Sequence, residues 1–346
     1  MNSKVTNRMR NTTYLIKPKL GLLMLLLLVT PALGLSQQSA LKQKPSAPEM
    51  VNWFLSSGDW DKDPQIYVRE YGKGKDTVIM LHGGWGASHD GFVDAVKYLQ
   101  EEYRFIFYEQ RGSLRSPFPD SLITYQAHIE DLERLRKALE LEKLTLVGHS
   151  MGSVLASAYA TAYPERIEKL ILMSPAYLKN PIPEEDRVIM DQAFQKSKAF
   201  RERPAIAEEM DKYDLNRKSP PLNSKENTIR SRIGFAQLML YDVANWPLLE
   251  NGKALYKGQV YGLTEGSYPK DGWNFIQEFA KREYPVIVIH GDHDWLDFEA
   301  AILKKWTTEV PRIRLDVIEN AGHLPWIDQP EKITEALRKA LRRWKE

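Results

Sequence analysis

The chain has 346 residues, 43% of them hydrophobic, enough for one large domain, or a domain carrying an insertion, with a sizeable core. Its 48 basic residues against 46 acidic ones leave a formal net charge of +2, too small and too dispersed a field to argue for nucleic acid as a partner. There is no cysteine, so disulfides, thiolate metal sites, a cysteine nucleophile and a lipidated N-terminal cysteine are excluded.

Lys4, Arg8, Arg10, Lys17 and Lys19 precede an apolar run from Leu20 to Val29, followed by Thr30, Pro31 and small residues. This is the layout of a secretory signal, with Gly34 and Ser36 as the small residues ahead of a cut before Gln37. Residues 1–36 are therefore expected to be a signal peptide and the protein to be exported, periplasmic or secreted. The run is shorter than the roughly 20 residues of a membrane span. An uncleaved anchor is the alternative, and the one circumstance in which a membrane becomes a partner. Residues 37–49, with two prolines, read as a linker.

The alternation of Ile66 and Val68 predicts a strand from Gln65 to Tyr71, and Gly72-Lys73-Gly74-Lys75-Asp76 a turn. Thr77 to Leu81 is almost continuously apolar, as a strand covered on both faces of a parallel sheet should be. It ends in His82-Gly83-Gly84-Trp85-Gly86. Such a glycine-dense turn can bring backbone N–H groups toward a reacting oxygen without side chains in the way. It can equally be a plain strand-to-helix turn, with Ser88 or Asp90 capping the next helix.

Phe105 to Tyr108 reads as a further strand and Glu109 to Pro117 as a polar loop. In the next helix Leu132, Leu135 and Leu139 share a face, and Glu130, Asp131, Glu133, Arg134 and Lys137 are expected in solvent. The apolar run Leu144 to Val147 then leads into Gly148-His149-Ser150-Met151-Gly152 and a small-residue helix from Ser153 to Ala162. The pattern is strand, tight turn, helix, with a serine at the apex. The flanking glycines are expected to let the backbone take a strained turn, so that the hydroxyl projects above the sheet edge and faces the helix's first amides. Lys169 to Met173 is another strand.

From about Tyr177 to Glu283 the sequence becomes polar and helix-leaning, with scattered prolines and no evident buried strand. It reads as an insertion standing over the sheet's active edge. Its aromatics, including Phe235, Tyr241, Trp246, Tyr256, Tyr261, Tyr268, Trp273 and Phe275, divide between pocket wall and, for most of them, the insertion's own core. The parallel pattern resumes with Val286 to Ile289 and His290-Gly291-Asp292-His293-Asp294-Trp295. A helix near Phe298 to Thr307, a strand Ile313 to Ile318, the turn Glu319 to Trp326 holding His323, and a closing helix from Lys332 to Trp344 complete the chain.

The glycine turn, the Ser150 elbow, the Asp294 turn and the His323 turn, in this order, resemble the α/β-hydrolase fold over residues 65–345. The resemblance implies a mostly parallel sheet flanked by helices, with a first core segment at 50–176, a mainly helical cap at 177–283 and a second core segment at 284–346. It implies Ser150 as nucleophile, His323 as its base and Asp294, third after the glycine, as the acid. Asp292 and Asp297 lie close by, Asp292 as a turn-stabilising carboxylate. The oxyanion would be held by the amides of Met151 and Gly84, with Trp85 as runner-up. His82 and His149 are expected to hold loops by hydrogen bonds, and His293 to be exposed or to support the site from behind rather than to bind a metal; none of the three is expected to act as a base. No cofactor and no metal is implied.

The glycine turn and Glu109-Gln110-Arg111-Gly112 with Ser116 are similar to the proline iminopeptidase branch, which carries Asp-Gln-Arg-Gly, and imply an exo-acting serine aminopeptidase on a short peptide. That branch usually has proline at the position of Trp85 and tryptophan at the position of Met151. An aminopeptidase needs a carboxylate for the substrate's α-ammonium, for which the cap offers Glu208, Glu209, Asp211, Glu226, Asp242, Glu250 and Glu265. A carboxylesterase acting on a small-molecule ester needs none. Epoxide hydrolases and dehalogenases of this fold use an aspartate where Ser150 stands. A carbon–carbon bond hydrolase and a non-catalytic binding protein are the remaining alternatives.

Overall fold

The computed structural model describes residues 51–56, 64–249 and 256–342. The expected signal segment 1–36 and linker 37–49 lie outside the described residues, as do Glu250 and the last residues of the closing helix.

In chain order the strands are β1 (Asn52–Leu55), β2 (Ile66–Tyr71), β3 (Asp76–Leu81), β4 (Tyr103–Tyr108), β5 (Leu144–His149), β6 (Ile167–Met173), β7 (Lys179–Asn180), β8 (Trp273–Asn274), β9 (Val286–Gly291) and β10 (Ile313–Ile318). Eight of them form one sheet in the order β1-β2-β4-β3-β5-β6-β9-β10. β1 and β2 pair antiparallel, as do β2 and β4, and every other neighbouring pair in this sheet is parallel.

The apolar runs take the centre because both faces of the sheet are covered. Ile79, Leu81, Leu146, Leu170, Leu172 and Val288 point to one face, where the helices Tyr125–Ala138, Met151–Ala162 and Ala301–Thr308 pack. Val78, Met80, Val147, Ile171, Ile287 and Ile289, one residue out of step, point to the other, under the helix Pro330–Leu341. This is the period of two expected of a strand, with neither face left for polar residues. Among the described residues no helix is long and apolar enough to cross a membrane.

Three sequence expectations change. β1 is a strand the sequence reading leaves unassigned, an edge strand in which only Leu55 of the apolar Trp53-Phe54-Leu55 is buried, and its Trp53 indole donates to Glu70 Oε1 at 2.9 Å. The charged face of the helix Tyr125–Ala138 is not simply solvated: Asp131 and Glu133 are buried. Arg111 Nε donates to Asp131 Oδ2 at 2.7 Å and Tyr159 Oη to Glu133 Oε2 at 2.7 Å, so the two carboxylates tie this helix to the loop after β4 and to the next helix. Neither Ser88 nor Asp90 caps the short helix Asp90–Val93, whose N-cap is His89 with no side-chain capping bond.

The insertion is mainly helical, through Glu184–Arg201, Pro204–Asp211, Ser224–Met239 and Gly258–Glu265. β7 and β8 pair Lys179 with Asn274 and Asn180 with Trp273, so the chain leaves and rejoins the core through one short antiparallel clasp. Ile206, Leu215, Ile233, Leu240, Val243 and Trp246 form a separate small core. The later part behaves differently: Val260, Phe275, Ile276 and Phe279 are buried in the main core, with Tyr261, Tyr268 and Trp273 packed against it.

Candidate active site

Ser150 sits between β5 and the helix Met151–Ala162 with φ +51° and ψ −121°. A non-glycine residue in that region costs on the order of 1–3 kcal/mol and persists only where the surroundings enforce it. The strain lies on Ser150 itself, because neither Gly148 nor Gly152 has a positive φ. Contrary to the sequence expectation, these glycines serve close approach. A Cβ on Gly148 would lie 2.5 Å from Gly152 O, and one on Gly152 would lie 2.2 Å from Leu81 O. Ser150 is fixed by its own amide donating to Met173 O at 3.1 Å, and by Ser153 Oγ donating to Ser150 O at 2.5 Å. As the first helical residue, Met151 has an amide with no acceptor inside the helix.

The glycine turn lies alongside the elbow, since a Cβ on Gly83 would be 2.8 Å from Ser150 Cβ. Gly84 and Gly86 have φ of +67° and +90°, and the Ala87 amide closes the turn onto Gly84 O at 3.0 Å. Behind it, Gln110 donates twice: its amide to His82 Nε2 at 3.2 Å and its side chain to His82 O at 2.9 Å. His82 Nδ1 in turn donates to Gly83 O at 3.0 Å. Burial pushes the His82 imidazole down to about 4, so it stays neutral with its proton on Nδ1. Gln110, which the sequence shows only as part of the Glu109–Gly112 segment, is thus a holder of the turn.

At the carboxyl ends of β9 and β10, His323 Nδ1 donates to Asp294 Oδ2 at 2.8 Å, and both residues are buried. The Leu296 amide donates to Asp294 Oδ1 at 2.9 Å, and His290 Nδ1 stands 3.7 Å from Oδ2. Burial alone would raise the Asp294 pKa. The imidazoles of His323 and His290 and these two hydrogen bonds outweigh it and hold the carboxyl below its usual range.

The two neighbouring carboxylates are engaged elsewhere. Asp292 Oδ1 accepts from His293 Nδ1 at 2.6 Å and from the Ala321 amide at 3.1 Å, tying the acid turn to the loop before His323. Asp297 accepts the Ile302 and Leu303 amides at 2.9 Å each and so closes the start of the following helix. His149, the residue before Ser150, donates from Nε2 to His323 O at 3.0 Å, with the two rings 4.8 Å apart. Burial, aided by the nearby His323, pushes His149 down to about 3. The His293 ring is enclosed by Phe200, Tyr241 and Phe298 at 4.5, 4.7 and 5.0 Å. Among the described residues no group of three or more His, Cys, Asp or Glu side chains is arranged to hold a metal ion.

Of the cap carboxylates, Glu208, Asp211, Asp242 and Glu265 are exposed. Glu209 is buried but accepts from Trp246 Nε1 at 2.9 Å and Lys212 Nζ at 2.5 Å. Glu226 is paired with Arg217 Nη2 at 2.6 Å and completes a capping box with Asn223. None of these six is a buried carboxylate left unpaired.

A family model of the alpha/beta hydrolase fold matches residues 76–330. The chain belongs to the α/β-hydrolase fold family. As a member of this family it is a hydrolase, with proline iminopeptidases and esterases among its neighbours. A proline iminopeptidase of Lactobacillus delbrueckii subsp. lactis is 26% identical over 302 residues, covering 84% of this chain and 97% of that protein. One from Saccharolobus solfataricus is 26% identical over 285 residues, covering 79% and 87%. Among solved structures, naproxen esterase (carboxylesterase NP) from Bacillus subtilis covers 85% of this chain and 92% of its own, with TM-score 0.56 at 18% identity. That last likeness speaks for the fold alone.

Proposed function

We propose that this α/β hydrolase is a serine hydrolase that works through an acyl-enzyme on a small ester, amide or peptide. The observation that carries the reading is the 2.8 Å hydrogen bond from His323 Nδ1 to the buried, anionic Asp294, next to an elbow that holds Ser150 in a strained backbone conformation. With Nδ1 donating to Asp294, His323 Nε2 is free to accept the Ser150 Oγ proton as Oγ attacks the substrate carbonyl carbon. The tetrahedral oxyanion is stabilised by the Met151 amide and that of Gly84, with Trp85 as second choice. A donor of this kind is worth about 10²–10³ in kcat. As the intermediate collapses, His323 returns the proton to the leaving alcohol or amine. Water then hydrolyses the acyl-enzyme by the same route.

Within this class an ester without a free α-ammonium is the first reading, because the six cap carboxylates considered above are exposed or already paired. An aminopeptidase is the second, supported by the similarity to proline iminopeptidases over most of both chains. A serine-directed phosphonate should label the wild-type protein at Ser150 and leave Ser150→Ala unlabelled; equal labelling of both proteins would remove the assignment. Short-chain nitrophenyl esters should then turn over faster than proline or alanine naphthylamides. The reverse order selects the aminopeptidase, and no turnover of either selects a binding protein. Export is proposed as well, on the basic-then-apolar layout ahead of Gln37. N-terminal sequencing of protein recovered outside the cytoplasm should begin at Gln37.

A further inference from the structure

The turn from Gly83 to Gly86 has one side chain, that of Trp85. Glycines do not fix their own backbone direction, so something else must aim the amides of this turn. Trp85 is fully buried. Its indole stacks on His128 with ring centroids 4.6 Å apart and planes 19° off parallel, and its Nε1 donates to Tyr268 Oη at 2.7 Å. Tyr268 belongs to the late part of the cap, where its ring meets Tyr125 edge-on at 5.4 Å.

The same cap stretch meets the turn on either side of Trp85. The Lys257 amide donates to Gly86 O at 3.0 Å, and the Tyr256 ring lies where a Cβ on Gly84 would be 3.4 Å from its Cε2. His128 is held from the same direction, its Nε2 lying 3.1 Å from Thr264 Oγ1. Trp85 and Gly86 are thus each hydrogen-bonded to a segment more than 170 positions further along the chain, and the ring of Tyr256 from that segment lies beside Gly84. Among these contacts the Trp85–Tyr268 bond is the directional side-chain one, and a buried indole N–H without an acceptor is penalised.

We infer that Trp85 is a positioning residue: through its hydrogen bond to Tyr268 it fixes the direction of the glycine turn that carries the second oxyanion amide. The inference rests on the serine-hydrolase reading. It gives a reason for a tryptophan here, since neither a proline nor a phenylalanine has an N–H to reach the cap. Placement of an oxyanion donor is a matter of fractions of an ångström, and an error of about 1 Å can cost about 10² in rate. Trp85 touches no reacting atom through its side chain, and changing that side chain leaves the backbone amide at position 85 in place.

The test uses Trp85→Phe, which keeps a ring against His128, and Tyr268→Phe, which removes only the hydroxyl. Each should lower kcat on the best nitrophenyl ester by on the order of tenfold or more with KM little changed. A boronic acid that mimics the tetrahedral intermediate should lose affinity in the same proportion, a readout that loss of stability alone does not move. Because both substitutions remove one bond, the double variant should be no slower than the slower single variant. Wild-type kcat in folded Tyr268→Phe, or losses that multiply in the double variant, overturns the inference while phosphonate labelling at Ser150 leaves the reading beneath it standing. If Ser150 in the wild-type protein is not labelled, the reading fails and the inference with it.

Discussion

Asp328 Oδ2 accepts the amide of Tyr241 at 2.8 Å and that of Gly322 at 2.9 Å, so one carboxylate joins the end of a cap helix to the residue before His323. Asp328 Oδ1 adds the Asp242 amide at 3.2 Å, and the Leu324 amide donates back to Met239 O at 3.2 Å. The loop that carries the candidate base is therefore built partly out of the cap. Asp328→Ala leaves these amides without their acceptor and should lower unfolding stability by about 1–3 kcal/mol. It should also reduce kcat, because the His323 loop loses its anchor. Urea unfolding and steady-state kinetics on one preparation check both effects. A variant of wild-type stability would show that these amides find other acceptors at no cost.

The acid turn offers a sharper separation of roles. Asp294→Asn should lower kcat by on the order of 10⁴, since the amide can no longer stabilise a charged imidazole. Asp292→Asn disturbs a bond to the Ala321 amide and should act mainly through stability. Asp297→Asn keeps one acceptor oxygen and leaves one of the two amides without its partner, which should cost about 1–3 kcal/mol with kcat close to wild type. Should Asp297→Asn prove the slowest of the three under conditions where all are folded, the assignment of the acid moves to Asp297.

Which features are legible in the sequence depends on the kind of interaction involved. β5 and β9 are legible because strands covered on both faces leave little place for polar residues, so Val286 to Ile289 is unbroken and Leu144 to Val147 is interrupted only by Thr145. β1 is not, because at the sheet's edge its apolar stretch is only Trp53 to Leu55 and of these Leu55 alone is buried. Ser150, Asp294 and His323 stand out because few residue types suit those chemical roles and each lies just beyond a strand. Asp328 gives no signal, and Tyr268 shows only as one of the cap's aromatics. Their partners are 87 and 183 positions away, and a carboxylate bound to backbone amides looks like any surface carboxylate in a one-dimensional sequence. The glycines around Ser150 are visible, but not that they relieve a clash while the serine bears the strain.

That division of labour at the elbow makes a prediction of its own. Ser150→Ala and Ser150→Gly should both abolish phosphonate labelling, but only glycine relieves the positive φ of +51°. Ser150→Gly should therefore be more stable than Ser150→Ala by about 1 kcal/mol, offset in part by the freer unfolded chain. Gly152→Ala should be strongly destabilising, since its Cβ would meet Leu81 O at 2.2 Å. Thermal unfolding of the three variants ranks them. A tolerated Gly152→Ala would mean that the helix can move away from β3.

The buried histidines set the protein's response to acid. Burial lowers His82 from 6.5 to about 4, and His128 and His149 from 6.5 to about 3. In each case the folded value lies below the unfolded one, so between them the unfolded chain holds a proton that the folded chain does not. Stability therefore rises with pH across this window. The contribution is fully present above 6.5 and is lost as the pH falls through 6.5 toward 4 and 3. With three such groups the slope approaches about 4 kcal/mol per pH unit at its steepest. Urea midpoints measured from pH 7.5 downward should fall steadily below about pH 6.5, well before carboxylate protonation begins. His128→Gln removes one titrating group and should reduce that slope by about a third. A midpoint that holds level down to about pH 5 would mean that these imidazoles accept protons in the folded protein, and so are not held as tightly as their contacts with Gln110, Thr264 and His323 require.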